Sequence, residues 1–85
     1  MTQTSLFTNA IRPRPESLFR PGTQNERLYR RLLEGPVTNA EIVREMGIFN
    51  STGRASDVRE ALKPYLMDVE ARWVNKGLWQ YRLRG

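Results

Sequence analysis

The words "TQNE" at Thr23–Glu26 and "TNAE" at Thr38–Glu41 repeat one instruction within a short span of chain. In each, a threonine hydroxyl takes the backbone amide three residues on and the glutamate reaches back to the threonine amide. Two orphan donors of a helix start are thereby satisfied reciprocally. After the first box, Leu28, Leu32 and Leu33 form an apolar stripe flanked by Tyr29, and Gly35-Pro36 ends the helix. Pro36 has no amide, so a full Schellman cap is excluded and a left-handed cap at Gly35 is expected. The second helix spans about 39 to 46, with Val37 stapled to Ile42 and Ile48 turned back on Val43 past Gly47. Val37, between the two helices and after proline, is placed for a very short strand.

A third helix is read in "FNSTGRASDVREALKPY", with Asn50, Ser51 or Thr52 as its cap and Pro64 stopping it near Lys63. Ala55, Val58 and Leu62 fall on one buried stripe, and Thr52, Gly53, Ser56, Glu60 and Lys63 lie opposite. Arg59 and Asp57 flank them. Arg54 sits near the buried stripe, so it either pairs with Asp57 one turn on or snorkels to solvent.

The clearest strand signal comes last, in "DVEARWVNKGLWQYRLR". A three-residue turn Asn75-Lys76-Gly77 with left-handed Gly77 closes a hairpin that pairs Val74 with Leu78, Trp73 with Trp79, Ala71 with Tyr81 and Val69 with Leu83. One face then collects Val69, Ala71, Trp73, Trp79, Tyr81 and Leu83, read as a core face. The other pairs Glu70 with Arg82 and Asp68 with Arg84. A slip of one residue buries the charges, which specifies the register.

Eighty-five residues leave room for one small core. There is no cysteine and no histidine. That removes disulfides, thiolate and nearly all zinc sites, and the usual general base, so neither an enzyme nor a cofactor is expected. No apolar run approaches a membrane span and no signal-peptide order opens the chain, which gives an expectation of a cytoplasmic protein with no membrane partner. The net charge of +5 points to a polyanion. Arg12, Arg14 and Arg20 against Glu16 give the first 22 residues a surplus, and Arg72, Lys76, Arg82 and Arg84 against Asp68 and Glu70 give the last 18 another. Residues 23–47 balance, and 48–67 carry one extra cation. Of the fourteen cations only Lys63 and Lys76 are lysine, and the arginine fork suits phosphate and guanine edges.

Residues 1–22 are read as a flexible arm containing proline and arginine, ahead of a domain at 23–85. Pro13, Pro15 and Pro21 interrupt it, and "SLFTNAIRP" at 5–13 is echoed by "SLFRP" at 17–21. Leu6, Phe7, Leu18 and Phe19 are candidates to dock on the body.

The order helix, short strand, helix, helix, hairpin is that of an α+β winged helix-turn-helix: three helices, a C-terminal β-hairpin wing, and a short strand between helices 1 and 2. In "GTQNERLYRRLLEGPVTNAEIVREMGI", "RASDVREAL" and "RWVNKGLWQYRL", about residues 22–84, the chain resembles the small helix-turn-helix proteins of bacteriophages and prophages. The resemblance implies a DNA-binding transcriptional regulator or recombination accessory factor in the bacterial host cytoplasm or nucleoid.

On this reading the third helix enters the major groove of double-stranded DNA and the wing lies on the backbone or minor groove. Its candidate contacts are Thr52, Gly53, Arg54, Ser56, Arg59 and Lys63, the small residues allowing close approach and the cations reaching phosphate or base. Gly53 and Ser56 are equally explained as ordinary exposed positions. Thr38 and Asn39, at a helix start, are candidates for phosphate, although capping alone accounts for them. Arg72, Asn75 and Lys76 are the wing contacts, and Arg12, Arg14 and Arg20 those of the arm. Trp73, Trp79 and Tyr81 suggest a stacking platform, but so short a chain needs them as core. The acids Asp57 and Glu60 repel phosphate, and they favour the alternative: a winged helix that recruits or inhibits a protein of the DNA machinery. A third reading joins both, with the "SLF" arm as a protein-recruiting segment. A homodimer or a cooperative array on DNA is a further expectation.

Overall fold

The computed structural model describes residues 12–85, so the first "SLF" of the echo lies outside the described residues. The elements are α1 (Pro15–Leu18), α2 (Gln24–Glu34), β1 (Val37–Thr38), α3 (Asn39–Met46), α4 (Ser51–Leu62), a 3-10 turn (Lys63–Tyr65), β2 (Asp68–Asn75) and β3 (Leu78–Arg84). The chain is α+β, and its three strands form one antiparallel sheet in the order β1-β3-β2. The expected succession of elements is present, with α1 added in a stretch expected to be irregular. Proline's fixed φ suits the first position of a helix, and Pro15 occupies it. Among the described residues no helix is long and apolar enough to cross a membrane.

Both threonine caps form, but only one box closes. At α3 the Thr38 hydroxyl accepts from the Glu41 amide (3.1 Å), and the Glu41 carboxylate accepts from the Thr38 amide (2.8 Å). At α2 the Thr23 hydroxyl accepts from the Glu26 amide (3.2 Å), yet the Glu26 carboxylate turns to the Gly22 amide and the Arg30 guanidinium. The Thr23 amide donates instead to the Arg20 carbonyl (3.3 Å), and the buried Glu26 keeps the charged partner within its reach. The glycine at the end of α2 also departs from expectation. Gly35 has φ 147° and ψ −178°, not the left-handed helical values. The following proline ring disfavours helical ψ in the residue before it, so the chain leaves α2 through an extended conformation open to glycine alone. Gly47, with no proline after it, is left-handed as expected (φ 67°, ψ 20°), and Ile48 beyond it is buried.

The core is Leu28, Tyr29 and Leu32 of α2, Val37, Ile42 and Ile48, then Ala55, Val58 and Leu62 of α4, closed by Met67, Val69 and Tyr81. The predicted buried stripe of α4 is therefore observed in full. Asn50 caps α4 by accepting the Gly53 amide (3.1 Å). Pro64 ends it as expected, and the chain turns through Leu66, a non-glycine residue at φ 58°. Leu18 and Phe19 pack against this core, the Phe19 ring lies 6.0 Å from that of Tyr29, and the Tyr29 hydroxyl donates to the Pro13 carbonyl (2.7 Å). Residues 13–19 thus belong to the packed body, and the boundary expected at 22/23 falls inside it.

The hairpin keeps its predicted register from Asp68↔Arg84 to Trp73↔Trp79 and shifts at the tip, where Asn75 and not Val74 lies opposite Leu78. Its face assignment is the main correction. Tyr81 and Val69 are buried and Leu83 is half-buried, but Ala71 is exposed, Trp73 is 61% exposed and Trp79 41%. Eight residues of strand reach about 26 Å at roughly 3.3 Å each. α4 covers only the end of the hairpin nearest its base, so the apolar face runs past the helix into solvent.

Three glutamates are held below the ordinary value of 4.5: Glu26 mainly by its hydrogen bond to Arg30, Glu41 by the Thr38 amide and hydroxyl, and Glu70 by Arg82. A depressed folded pKa gives stability that is complete above the unfolded value and is lost as pH falls through the folded one. Urea midpoints are therefore expected to stay level from neutrality to about pH 5 and fall steadily below about pH 4. Glu41→Gln is expected to lower the neutral midpoint and flatten the acid limb. A midpoint unchanged between neutrality and pH 3 contradicts this assignment.

Candidate functional site

Between the outer face of α4 and the apolar face of the hairpin lies an open groove of about 390 Å³. Thr52, Ser56 and Arg59 line it from the helix, Ala71 and Trp79 from the hairpin, with Val69 and Tyr81 along its floor. Two clamps set its width. At the base, Arg59 donates from Nε to Asp68 Oδ1 (2.7 Å) and from Nη2 to the Val69 carbonyl (2.7 Å). Asp68 Oδ1 also accepts from the Val69 amide (2.7 Å). β2 is an edge strand, whose outward backbone groups need partners, and Arg59 with Asp68 supplies them at Val69. At the tip, Asn39 donates from Nδ2 to the Gly77 carbonyl (3.1 Å) and accepts the Trp79 amide on Oδ1 (3.0 Å). The amide side chain prolongs the pairing of β1 with β3, Val37↔Tyr81 and Thr38↔Gln80, by one more rung.

Several expected contact residues are therefore occupied within the fold. Thr38 is consumed by its capping box, and Asn39 by the hairpin. Arg59 is a clamp with its guanidinium already bonded, not a free group reaching outward. Gly53 owes its identity to the cap of α4, since a Cβ there meets Asn50 Oδ1 at 2.8 Å. Thr52 directs its hydroxyl to that of Tyr81 (3.4 Å), and Ser56 is exposed.

The charges of α4 compensate one another. Arg54 pairs with Asp57 (3.1 Å), the first of the two arrangements expected for it, and Asp57 also accepts from Asn25 of α2 (3.4 Å). Lys63 pairs with Glu60 (2.9 Å). Asp57 thus ties α4 to α2, and Glu60 offsets Lys63. Across the hairpin, Glu70 accepts from Arg82 (2.8 Å) as expected, but Arg84 reaches diagonally to Glu70 (3.0 Å) because Arg59 has taken Asp68.

Other cations stand free. Arg72 and Lys76 on the hairpin, Arg44 on α3 and Arg20 are exposed, with no acidic or hydrogen-bonding side-chain partner among the described residues. The Asn75 side chain accepts the Lys76 amide (2.7 Å) and shapes the turn. Arg14 pairs weakly with Glu16 (3.8 Å), and the half-buried Arg12 has its Nε out of solvent. Sequence reasoning passed over Arg44 and over Phe49, which is 83% exposed in the turn before α4. An aromatic residue next to a helix cap and off any apolar stripe was the available signal for Phe49. Nothing local could show the role of Asn39, whose partners are 38 and 40 residues away.

A scan of protein-family models and searches of curated proteins and of solved structures found no match to the chain.

Asn39→Ala is expected to free the hairpin tip while the helical core stays folded. Amide exchange at Trp79 should accelerate by at least about fivefold, in line with roughly 0.5–1.5 kcal/mol for each of the two lost hydrogen bonds. Unchanged Trp79 protection in the variant removes Asn39 as the clamp.

Proposed function

We propose that this chain is a winged helix-turn-helix protein that binds duplex DNA without catalysing a reaction, as a regulator or recombination accessory factor of the phage and prophage type. α3 and α4 are the helix-turn-helix, β2 and β3 the wing, and α4 enters the major groove. The observation that carries the reading is the segregation of charge between the hairpin and α4. The hairpin presents Arg72 and Lys76 without internal partners among the described residues, while the ridge of α4 beside it is small and neutral at Thr52 and Ser56. Free cations on a projecting hairpin suit phosphate, and a small-residue ridge suits close approach to base edges. Arg44 on α3 is a further candidate for the backbone.

Phosphate contacts are read by salt. Lys76→Ala and Arg72→Ala are each expected to weaken binding to all duplex sequences alike and to reduce the slope of log K against log salt by about 0.9. Arg59→Ala is expected to act first on the hairpin, lowering thermal stability before it changes the salt slope. Fluorescence anisotropy with a labelled duplex across a salt series, beside thermal melts, separates these outcomes. Negligible, salt-insensitive binding by the folded protein rejects the reading.

The exposure of Trp79 in the groove and of its cross-strand partner Trp73 on the same face of the hairpin favours one second reading, in which that face receives a protein partner of the DNA machinery. Retention on nonspecific duplex or heparin that falls with salt supports the first reading; salt-independent failure to be retained supports the second.

A further inference from the structure

Both arginines of α4, the side chains best suited to guanine, are engaged inside the protein. Arg59 is bonded to Asp68 and to the Val69 carbonyl, where it also seals a strand edge. Arg54 is paired with Asp57, which is held in turn by Asn25. Lys63 has the most exposed of these pairs, the kind that opens at little cost, but it sits beyond the last residue of α4 and offers a point charge fit for phosphate. Three exposed residues at and before the first half of α4, Phe49, Thr52 and Ser56, are neutral. Phe49 is 83% exposed, and the Ser56 hydroxyl is free among the described residues. Thr52 has its hydroxyl turned to Tyr81, so its methyl is what remains for a ligand.

Resting on the duplex-binding reading above, we propose that α4 recognises A·T pairs through the thymine 5-methyl group, using Phe49 and the methyl of Thr52, and does not read guanine. Among base edges in the major groove, thymine alone carries an apolar substituent, and threonine methyl and phenyl groups are its matching contacts. Charge complementarity argues for a nucleic acid as occupant: the hairpin carries Arg72 and Lys76, unpaired among the described residues, which suit a polyanion, while α4 contributes no free arginine fork. Ser56, able to donate or accept, adds a contact tolerant of either base.

The test uses a duplex selected for tight binding from a random pool and resynthesised in two forms. Deoxyuridine in place of thymidine removes the methyl and keeps the pairing. 7-Deazaguanine in place of guanine removes the major-groove N7 acceptor. The uracil duplex is expected to bind about fourfold more weakly for each methyl contacted, the equivalent of one buried carbon. The deazaguanine duplex is expected to bind as the parent does. Thr52→Ser keeps the hydroxyl for Tyr81 and deletes the methyl, so it should shrink the thymine-to-uracil ratio without changing the fold, and Phe49→Ser should shrink it further. Equal affinity for the thymine and uracil duplexes overturns this inference while leaving duplex binding intact, and so does a loss on deazaguanine as large as that on uracil. Absence of binding to any duplex removes the underlying reading and this inference together.

Discussion

Three consecutive residues, Val37, Thr38 and Asn39, join the helices to β3 and the hairpin tip, and the placement of the sheet against α3 depends on them. Val37 is buried and pairs with Tyr81, Thr38 pairs with Gln80 while capping α3, and Asn39 bonds the hairpin at Gly77 and Trp79. A two-stranded hairpin is marginal alone in water, and a third strand with a helix behind it makes it stable. Here the third strand is only two residues long, so the side-chain amide of Asn39 lengthens it. One short segment thereby fixes where α3 begins and how far the hairpin tip stands from the helices.

The second constraint is electrostatic. α4 and the lysine that follows it carry three cations and two acids, and the structure gives each acid an internal purpose. Asp57 gathers Arg54 and Asn25, and Glu60 faces Lys63. Arg59 finds its acid outside the helix, in Asp68 at the start of β2. The helix is therefore close to electrically silent, and the positive surplus resides on the hairpin and on scattered sites such as Arg44 and Arg20. In the proposed complex this divides the work. Affinity comes from exposed cations on projecting elements, and discrimination from neutral groups at the start of α4, where a bonded arginine is not available to compensate for a poor fit.

Local chemistry was legible wherever partners lie within a turn or across a tight loop. The caps at Thr23, Thr38 and Asn50, the left-handed Gly47 and Gly77, the buried stripe Ala55, Val58 and Leu62, and the hairpin register up to Trp73↔Trp79 all rest on contacts a few residues apart or on strict alternation. The misreadings share one cause. Alternation assigns Trp73, Trp79 and Tyr81 to the same face, but it carries no information about what covers that face. Likewise, a free-looking Arg59 or Asn39 is indistinguishable in sequence from one whose partner arrives on another element.

The sequence by itself determined the α+β class, the order of elements, the capped helix ends and which side of α4 is buried, because hydrogen-bond rings and helical or strand periodicity act over short distances. Only the tertiary structure decided that the hairpin overhangs α4, that Tyr81 is covered while the two tryptophans are not, that residues 13–19 pack on Tyr29, and that Arg59 of α4 is bonded to the start of β2. Those outcomes depend on how far one element reaches past another and on which charges meet across the fold, and neither distance is encoded in the spacing of residues along the chain.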